Sequence, residues 1–398
     1  MIGKESIKYS LRNLKNRKTR SVFTIFSILI GIATIFIFVS FGMGLYNYIE
    51  EISTGSSANK ILIQPKGTGF SDTTFSFSER EVDAVKSASG VYEATGIYFK
   101  TVEIKQNDKL VYTYLIGYDP NKPLLLELSD LEIFRGRNLE SGDKGVVAGY
   151  NYLIPDKVFS KGYSLNQNLE VNGEKLRIIG FYESIGSPQD DAQIYVTNDV
   201  VKELFGDDVK YNWIVAEGDV SRIDNVVENI ERKLRKERDL EEGKEDFYVQ
   251  TYEDMIETYK VVLDIVIGFI IVIALISVLV SSVNTANTMI ISVLERKKEI
   301  GIIKSIGGTN SEIFGIFLFE SSFLGFIAGS IGVFLGWIFT FVAGEILEVL
   351  GYGFLSPYYS FNLFAGCILF AMITGAIAGV VPAVKASKTN PVETLRYE

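Results

Sequence analysis

The chain has no histidine and a single cysteine, Cys367, in 398 residues. The side chains that most often do acid–base, nucleophilic and metal chemistry are therefore nearly missing. Histidine is the usual proton shuttle near neutral pH and the commonest metal ligand. Without it no Ser-His-Asp or Cys-His set can be assembled, and a zinc or haem site lacks its usual donors. Cys367 sits inside an apolar run and has no second cysteine with which to form an intramolecular disulfide. Nothing fits Gly-x-x-x-x-Gly-Lys-Ser/Thr, the loop that cradles nucleotide phosphates, so the chain reads as no enzyme, with no metal and no cofactor of its own. Carboxylates are plentiful, 49 Asp and Glu against 39 Lys and Arg, yet no spacing singles out a catalytic pair. They read as a solvated acidic surface. What remains chemically concentrated is one charged break within residues 289–320. An apolar run ends at Leu294, and Glu295, Arg296, Lys297, Lys298 and Glu299 follow directly. A mixed segment, Ile300–Ile306, leads to Gly307-Gly308, a polar Thr309-Asn310-Ser311 and a second apolar run from Ile313. The pattern is that of a short helical elbow joining two membrane spans on one side of a bilayer.

The elements that would position this elbow are long apolar runs. Val22–Leu45 is uncharged over 24 residues; at 1.5 Å per residue it reaches about 36 Å, enough for a hydrocarbon core of about 30 Å. A cleaved signal peptide would have a shorter apolar core, so this run is expected to be a retained anchor. Val261–Val283 has one charge, Asp264; Ser321–Gly344 is uncharged with Glu320 just before it; Phe361–Val384 is uncharged, with Pro382 near its end and Lys385 and Lys388 beyond. Four spans put both termini on one side. Residues 1–45 carry a net +6, residues 46–258 a net −15 and residues 259–398 a net −1. Cytoplasmic loops are enriched in Lys and Arg, which places the elbow and both termini in the cytoplasm and the acidic middle outside. That acidity argues against nucleic acid as a partner.

The expected organisation is an α-helical membrane protein with four transmembrane helices and a large extracytoplasmic α+β domain inserted between helices 1 and 2. Residues 1–21, with Ile7, Leu11 and Leu14 three or four apart among basic residues, form an amphipathic helix on the membrane surface. The first span is 22–45 and the outer domain 46–258, in two lobes, with 116–208 a mainly β insert. A stalk and second span occupy 254–294; a continuous helix of that length extends about 61 Å, roughly twice the hydrocarbon thickness. The elbow is 295–311, the third span 313–344, a short outer loop 345–360, the fourth span 361–384 and a cytoplasmic tail 385–398. Strands are expected at Lys60–Gln64, Val91–Ile104, Leu110–Tyr118, Leu176–Phe181, Gln193–Val196 and Trp213–Ala216. Helices are expected at Ser78–Ala88, Asn198–Leu204 and Val220–Glu237, the first opened by a Ser78/Glu81 capping box. Turns fall at Asn107-Asp108, Asp119-Pro120 and Asn172-Gly173, and the charged run from Arg232 to Glu245 reads as a solvated helix end and turn.

Small residues four apart let helix backbones approach in lipid. Gly325/Gly329, Gly332/Gly336 and Gly375/Gly379 have that spacing. Asp264 and Glu320 are ionisable groups at span edges, where snorkelling to the interface or pairing with Lys260 and Lys304 is the plain expectation against a functional role in the membrane.

At the elbow, Val293, Glu295-Arg296, Glu299-Ile300-Gly301-Ile302, Lys304, Ile306-Gly307, Ile313 and Glu320 resemble the hallmark of MacB/FtsX-type ABC transporter permeases, including the lipoprotein-releasing permeases. Asn13-Leu14, Arg17–Arg20 and Gly31-Ile32 are similar to that family's first-span signature. Pro382-Ala383, Lys385-Ala386, Pro391 and Glu393-Thr394-Leu395-Arg396 are similar to its closing motif. Phe134-Arg135-Gly136-Arg137, Val146-Val147 and Ile178-Ile179-Gly180-Phe181 are similar to its outer domain. The resemblance covers essentially the whole chain. It implies a type VII, mechanotransmission permease that works as a homodimer, or with a related permease, and with two copies of a separate ATPase holding ATP and magnesium. Some members of the family carry the ATPase fused, a feature this chain departs from. The resemblance makes Glu295, Arg296, Lys298, Glu299, Ile300, Gly301, Lys304, Ile306 and Gly307 the docking site for that ATPase. The function it implies is ATP-driven movement of the outer domains, for export or extraction of a hydrophobic or amphiphilic substrate or a peptide. The alternative is an FtsX-like regulator whose outer domain activates an extracytoplasmic partner. An unassisted secondary transporter would need more spans, inverted repeats and broken helices, which the sequence does not show.

Overall fold

A computed structural model describes residues 18–53, 56–66 and 76–390. Residues 1–17 of the expected surface helix and the closing motif from Pro391 lie outside that range. The chain divides into two compact units: one comprises Asn47–Val261 with Leu347–Phe354, the other the remaining, helical stretches.

The first unit is built on β-branched and aromatic strands: β1 (Lys60–Pro65), β2 (Val91–Gln106), β3 (Lys109–Tyr118), β4 (Ile133–Gly136), β5 (Val146–Ala148), β6 (Asn168–Val171), β7 (Glu174–Tyr182), β8 (Ile194–Thr197), β9 (Trp213–Gly218) and β10 (Phe247–Thr251). They form one ten-stranded sheet in the order β10-β1-β9-β2-β3-β8-β5-β7-β4, with β6 paired to β2 and β7. Most pairs are antiparallel; β3 with β8 and β5 with β7 are parallel. Asn107 and the Asn172-Gly173 pair turn two hairpins in the left-handed region, at φ of 54°, 49° and 87°, where Asn and Gly are tolerated.

Helices α2 (Glu79–Lys86), α3 (Leu124–Leu128), α4 (Asn198–Phe205) and α5 (Ile223–Glu237) complete this unit. One buried cluster gathers Ile61, Ile63, Phe77, Val85, Ile214, Ile230, Leu234 and Phe247 under α2 and α5. Another gathers Tyr98, Ile104, Leu115, Ile178, Phe181, Ile194 and Val201. The long strand β2 supplies both, Ala94 to the first and Tyr98, Val102 and Ile104 to the second. The sheet is therefore continuous across the boundary expected at residue 116.

The Ser78/Glu81 capping box forms, the Ser78 amide donating to Glu81 at 2.6 Å. The run from Arg232 to Glu245 is a helix end and turn and is mostly exposed, as expected, with two of its arginines tied down. Arg238 bridges Glu81 and Asp246, and Arg235 meets Glu245 at 2.9 Å. The shared partner Glu81 is 7% exposed. A charged run gains such order when carboxylates from α2 and from the approach to β10 converge on it.

The long helices are α1 (Lys18–Ser53), α6 (Tyr252–Glu295), α8 (Asn310–Leu350) and α9 (Phe361–Ser387); all four are long and apolar enough to cross a membrane. The large domain is thus inserted between the first and second of them. Thr251 and Asp254 cap α6 reciprocally, Thr251 N to Asp254 Oδ2 at 2.8 Å and Asp254 N to Thr251 Oγ1 at 3.0 Å. This lets a helix begin where β10 ends. Its 44 residues rise about 66 Å. Helix α8 continues through Glu345–Leu350, which the sequence reading put in the outer loop. These are good helix formers, and the helix stops only at Gly351, whose φ is +95°. Helix α9 likewise runs through Pro382 to Ser387, although the proline there gives up the hydrogen bond to the carbonyl four residues earlier. Lys157 Nζ donates to the Val349 carbonyl at 2.7 Å and the Tyr48 ring lies 6.0 Å from that of Phe354, so residues 347–354 pack within the sheet-bearing unit.

The spaced glycines lie where helices approach most closely. A Cβ on Gly325 would stand 2.4 Å from the Ala371 carbonyl oxygen, and one on Gly375 2.5 Å from that of Ser321. Gly329 meets Ala371, and Gly379 meets Ser321. Gly332 and Gly336 face the other way, toward Leu29, Ile32, Ala33 and Phe36 of α1. One helix, α8, thus shows a glycine face to each of two neighbours.

Because the atoms facing Gly375 are backbone, Gly375→Ala should cost about 1–3 kcal/mol. In the detergent-solubilised chain that lowers the unfolding midpoint by several degrees, at about 2–4 °C per kcal/mol. Gly366→Ala, whose Cβ would meet open space, should leave the midpoint unchanged or raised; equal losses would refute close packing at Gly375. A second expectation concerns Glu245. The Gly243 amide first, and then Arg235, hold its carboxyl down at about 2, from 4.5. Its contribution to stability is therefore full above about pH 4.5 and is lost as pH falls toward 2. Glu245→Gln should flatten the fall of unfolding midpoint across that window, and an unaltered slope would refute the assignment.

Candidate functional site

Helix α6 stops at Glu295, and Arg296, at φ −102° and ψ 12°, turns the chain into a short helix, α7 (Lys297–Ser305). The elbow helix is thus shorter than the 295–311 read from sequence. Its end is fixed by two backbone hydrogen bonds, Gly308 N to Ile303 O at 2.9 Å and Gly307 N to Lys304 O at 3.1 Å. That crossed pair with a left-handed glycine, Gly307 at φ +104°, is a Schellman stop. Thr309 and Glu312 then cap α8 reciprocally, at 2.9 Å from the Thr309 amide and 3.3 Å from the Glu312 amide. Three consecutive devices in the sequence therefore make a helix, a stop and a restart within residues 296–312.

The underside of α7 is buried. Ile300 is 2% exposed and joins Met289, Val293, Ile313, Phe317, Leu324, Ala383 and Ala386 in one cluster that draws on α6, α7, α8 and α9. Gly301 is buried beside it. Arg296 turns inward as well: its guanidinium donates to Glu320 at 2.9 Å and to Glu299 at 3.3 Å, and lies 5.0 Å from the centre of the Phe317 ring. The side chains of Arg296 and Glu320 are 3% and 5% exposed. Glu320 therefore pairs with Arg296 and not with Lys304. Lys304 instead donates to the carbonyls of Ser387 and Thr389, at 2.6 and 2.9 Å. A cation there neutralises the unpaired carbonyls at the end of α9. Asp264 is exposed and makes no ion pair among the described residues.

The nine predicted docking residues consequently divide in two. Arg296, Ile300, Gly301 and Lys304 hold the elbow onto α8 and α9. Glu295, Lys298, Glu299, Ile306 and Gly307 are exposed. Two members of the outer face were not singled out: Lys297, which is exposed, and Ile302, which is 49% exposed; Ile306 beside them reaches 80%. Exposed isoleucines on a nine-residue helix were the available signal. The exposed side chains on and beside α7 thus include two lysines, two carboxylates and two isoleucines.

Removing one partner of a buried ion pair strands the other charge, at about 3–5 kcal/mol. Arg296→Met and Glu320→Leu should each lower the unfolding midpoint strongly, while the double variant recovers much of the loss. A double variant that merely adds the two single losses would show that the pair does not clasp the elbow.

Comparison with known proteins agrees with this architecture. The family model of the MacB-like periplasmic core domain matches residues 21–237, and that of the FtsX-like permease C-terminal region matches residues 271–391. An uncharacterized ABC transporter permease of Methanocaldococcus jannaschii is 34% identical, over 98% of this chain and 98% of its own. The permease YknZ of Bacillus subtilis is 25% identical over 99% of both. The macrolide export ATP-binding/permease protein MacB of Wolinella succinogenes is 27% identical over 99% of this chain, which spans 61% of that protein. Among solved structures, the periplasmic region of MacB from Actinobacillus actinomycetemcomitans aligns with 53% of this chain and 97% of its own, at 16% identity and a TM-score of 0.42. By its domain models and its full-length relatives, the chain belongs to the MacB/FtsX family of ABC transporter permeases.

Proposed function

We propose that this chain is the membrane subunit of an ABC transporter whose ATPase, with its ATP and magnesium, is a separate protein docking on α7. Two permeases, either two copies of this chain or this chain with a related one, work with two ATPase subunits. The elbow and both termini face the cytoplasm, as the net +6 of residues 1–45 favours, and the sheet-bearing domain lies outside. Its two buried clusters are read as two lobes. ATP-driven closure of the ATPases displaces α7, and the displacement passes along α6 to the outer domain. There it exports or extracts a hydrophobic or amphiphilic molecule or a peptide without passing it through a pore.

The observation that carries this reading is the two-sidedness of α7. Its underside is fastened by a buried ion pair, an apolar cluster and a lysine cap. Its outer face keeps Ile302 and Ile306 exposed among charges. A partner pushing on such a helix moves the helices it is fastened to and does not simply peel it away. Apolar anchors ringed by charge are also what a protein interface concentrates at its centre.

The test is co-purification from native membranes, followed by ATP hydrolysis and identification of the bound ATPase. Replacing Lys298 by Glu together with Ile306 by Asp should lower recovered ATPase by about tenfold or more, the loss expected for hot-spot residues. The unfolding midpoint of the permease should not move, because both side chains are exposed. Undiminished ATPase recovery with the variant would sink the docking assignment.

A further inference from the structure

We propose that the elbow carries a second site, a cleft for the headgroup of one anionic phospholipid, beside α7 and sharing only Lys297 with its outer face. The cleft has a volume of about 100 Å³ and lies between the last turns of α6 and α9. Its floor is Ile290, Val293, Leu294 and Pro382, and Lys297 and Lys385 stand at its rim. That volume admits one headgroup or a short acyl segment and excludes a helix.

Charge selects the occupant. Neither Lys297 nor Lys385 makes an ion pair among the described residues, and Lys388, one turn beyond Lys385, makes none either. Of the described carboxylates at the elbow, Glu299 and Glu320 are engaged by Arg296 and Glu312 by Thr309, which leaves Glu295, exposed at the end of α6, as the one acid beside the two cleft lysines and Lys388. Two lysines lining one small cleft repel each other until an anion lies between them. The cleft's surroundings point to an amphiphile and not to a soluble anion. Exposed apolar side chains lead to it along both helices: Ile377, Val380 and Val381 on α9, and Ile291 and Leu294 on α6. An apolar track ending in paired lysines at the end of two membrane-spanning helices matches an acyl chain with a phosphate head. Basic pockets between such helices hold anionic headgroups in this way.

The cleft also borders the elbow. Val293 belongs both to its floor and to the apolar cluster beneath α7. Thr389, on its wall, offers the carbonyl that Lys304 of α7 caps. A lipid held here braces the two helix ends on which α7 rests. The inference needs only that α6 and α9 span the membrane, so it stands or falls separately from ATPase docking.

The test is native mass spectrometry of the full-length chain in mild detergent, offered phosphatidylglycerol and phosphatidylcholine in equal amounts. One phosphatidylglycerol per chain should be retained in preference to phosphatidylcholine. Lys297→Ala with Lys385→Ala should lower that retention by about tenfold, and Lys297→Arg with Lys385→Arg should preserve it. Lys298→Ala, on the docking face, should also preserve it, and unchanged unfolding midpoints show that the variants are folded. Equal retention of the two lipids, or equal phosphatidylglycerol retention by the alanine variant, overturns the proposal. Retention seen only after removal of residues 391–398 overturns it too, and gives the cleft to the chain's own tail.

Discussion

The ion pair between Arg296 and Glu320 is the constraint on which the elbow depends. A guanidinium and a carboxylate that are both almost wholly buried have given up hydration worth several kcal/mol each. They tolerate that only because each compensates the other, with Glu299 and the Phe317 ring completing the guanidinium's surroundings. Burying the pair contributes little net stability compared with apolar residues of the same size. What it supplies is geometry: with Arg296 facing α8, the orientation of the next nine residues is set. Ile300 then falls inward and Ile302 and Ile306 outward. A hydrophobic residue at 296 could pack in several rotations; a guanidinium held by Glu320 and Glu299 cannot.

The helices around the elbow are held by a different force. In lipid there is no hydrophobic drive to bring helices together, so close packing and hydrogen bonds must do it. Helix α8 meets α9 through Gly325 and Gly375, where backbone touches backbone, and meets α1 through Gly332 and Gly336. Hydrogen bonds fasten α6 to α1, with Ser281 Oγ donating to the Ser27 carbonyl at 2.9 Å and the Asn284 amide to the Ser27 hydroxyl at 2.6 Å. Most of the apolar surface of α6 nonetheless stays open, from Val261 and Val262 to Val280 and Val283. Of the four long helices, α6 has the fewest protein partners along its length. The other three share glycine contacts and buried side chains that would resist sliding.

How much of this was legible in the sequence depended on the range of the interaction that fixes each feature. The four long apolar helices follow from runs with at most one charge, which are local. The long strands Val91–Gln106 and Lys109–Tyr118 and their Asn-containing turn were legible because β-branched and aromatic residues repeat over many positions. The three-residue strand Val146–Ala148 and the four-residue strands at 133 and 168 were not. Strands that short have no periodicity and exist because β7 and β8 offer them edges. The elbow shows the same limit: its position was legible and its inside and outside were not. Arg296 and Glu320 are 24 positions apart, and nothing local distinguishes Arg296 from Lys304 as the partner of Glu320. Lys304 meets the end of α9 more than 80 positions away. The resemblance named residues at the elbow without saying which of them turn onto α8 and α9 and which stay exposed.

The join between β10 and α6 bears on how motion could pass through the molecule. A loop between a sheet and a membrane helix would absorb displacement by changing a few backbone angles. Here Thr251 is both the last residue of β10 and the cap of α6, so no residue is available to flex. β10 is bonded to β1 along Ile61–Pro65, and β1 to β9 along Lys60–Ile63. The first turn of α6 is therefore joined to the sheet with no loop between them. The glycine stop at Gly307-Gly308 is at the opposite end of α7, held by its crossed backbone hydrogen bonds. The two ends of α7 are thus fixed by different means, a buried ion pair at Arg296 and a hydrogen-bonded glycine stop at Gly307.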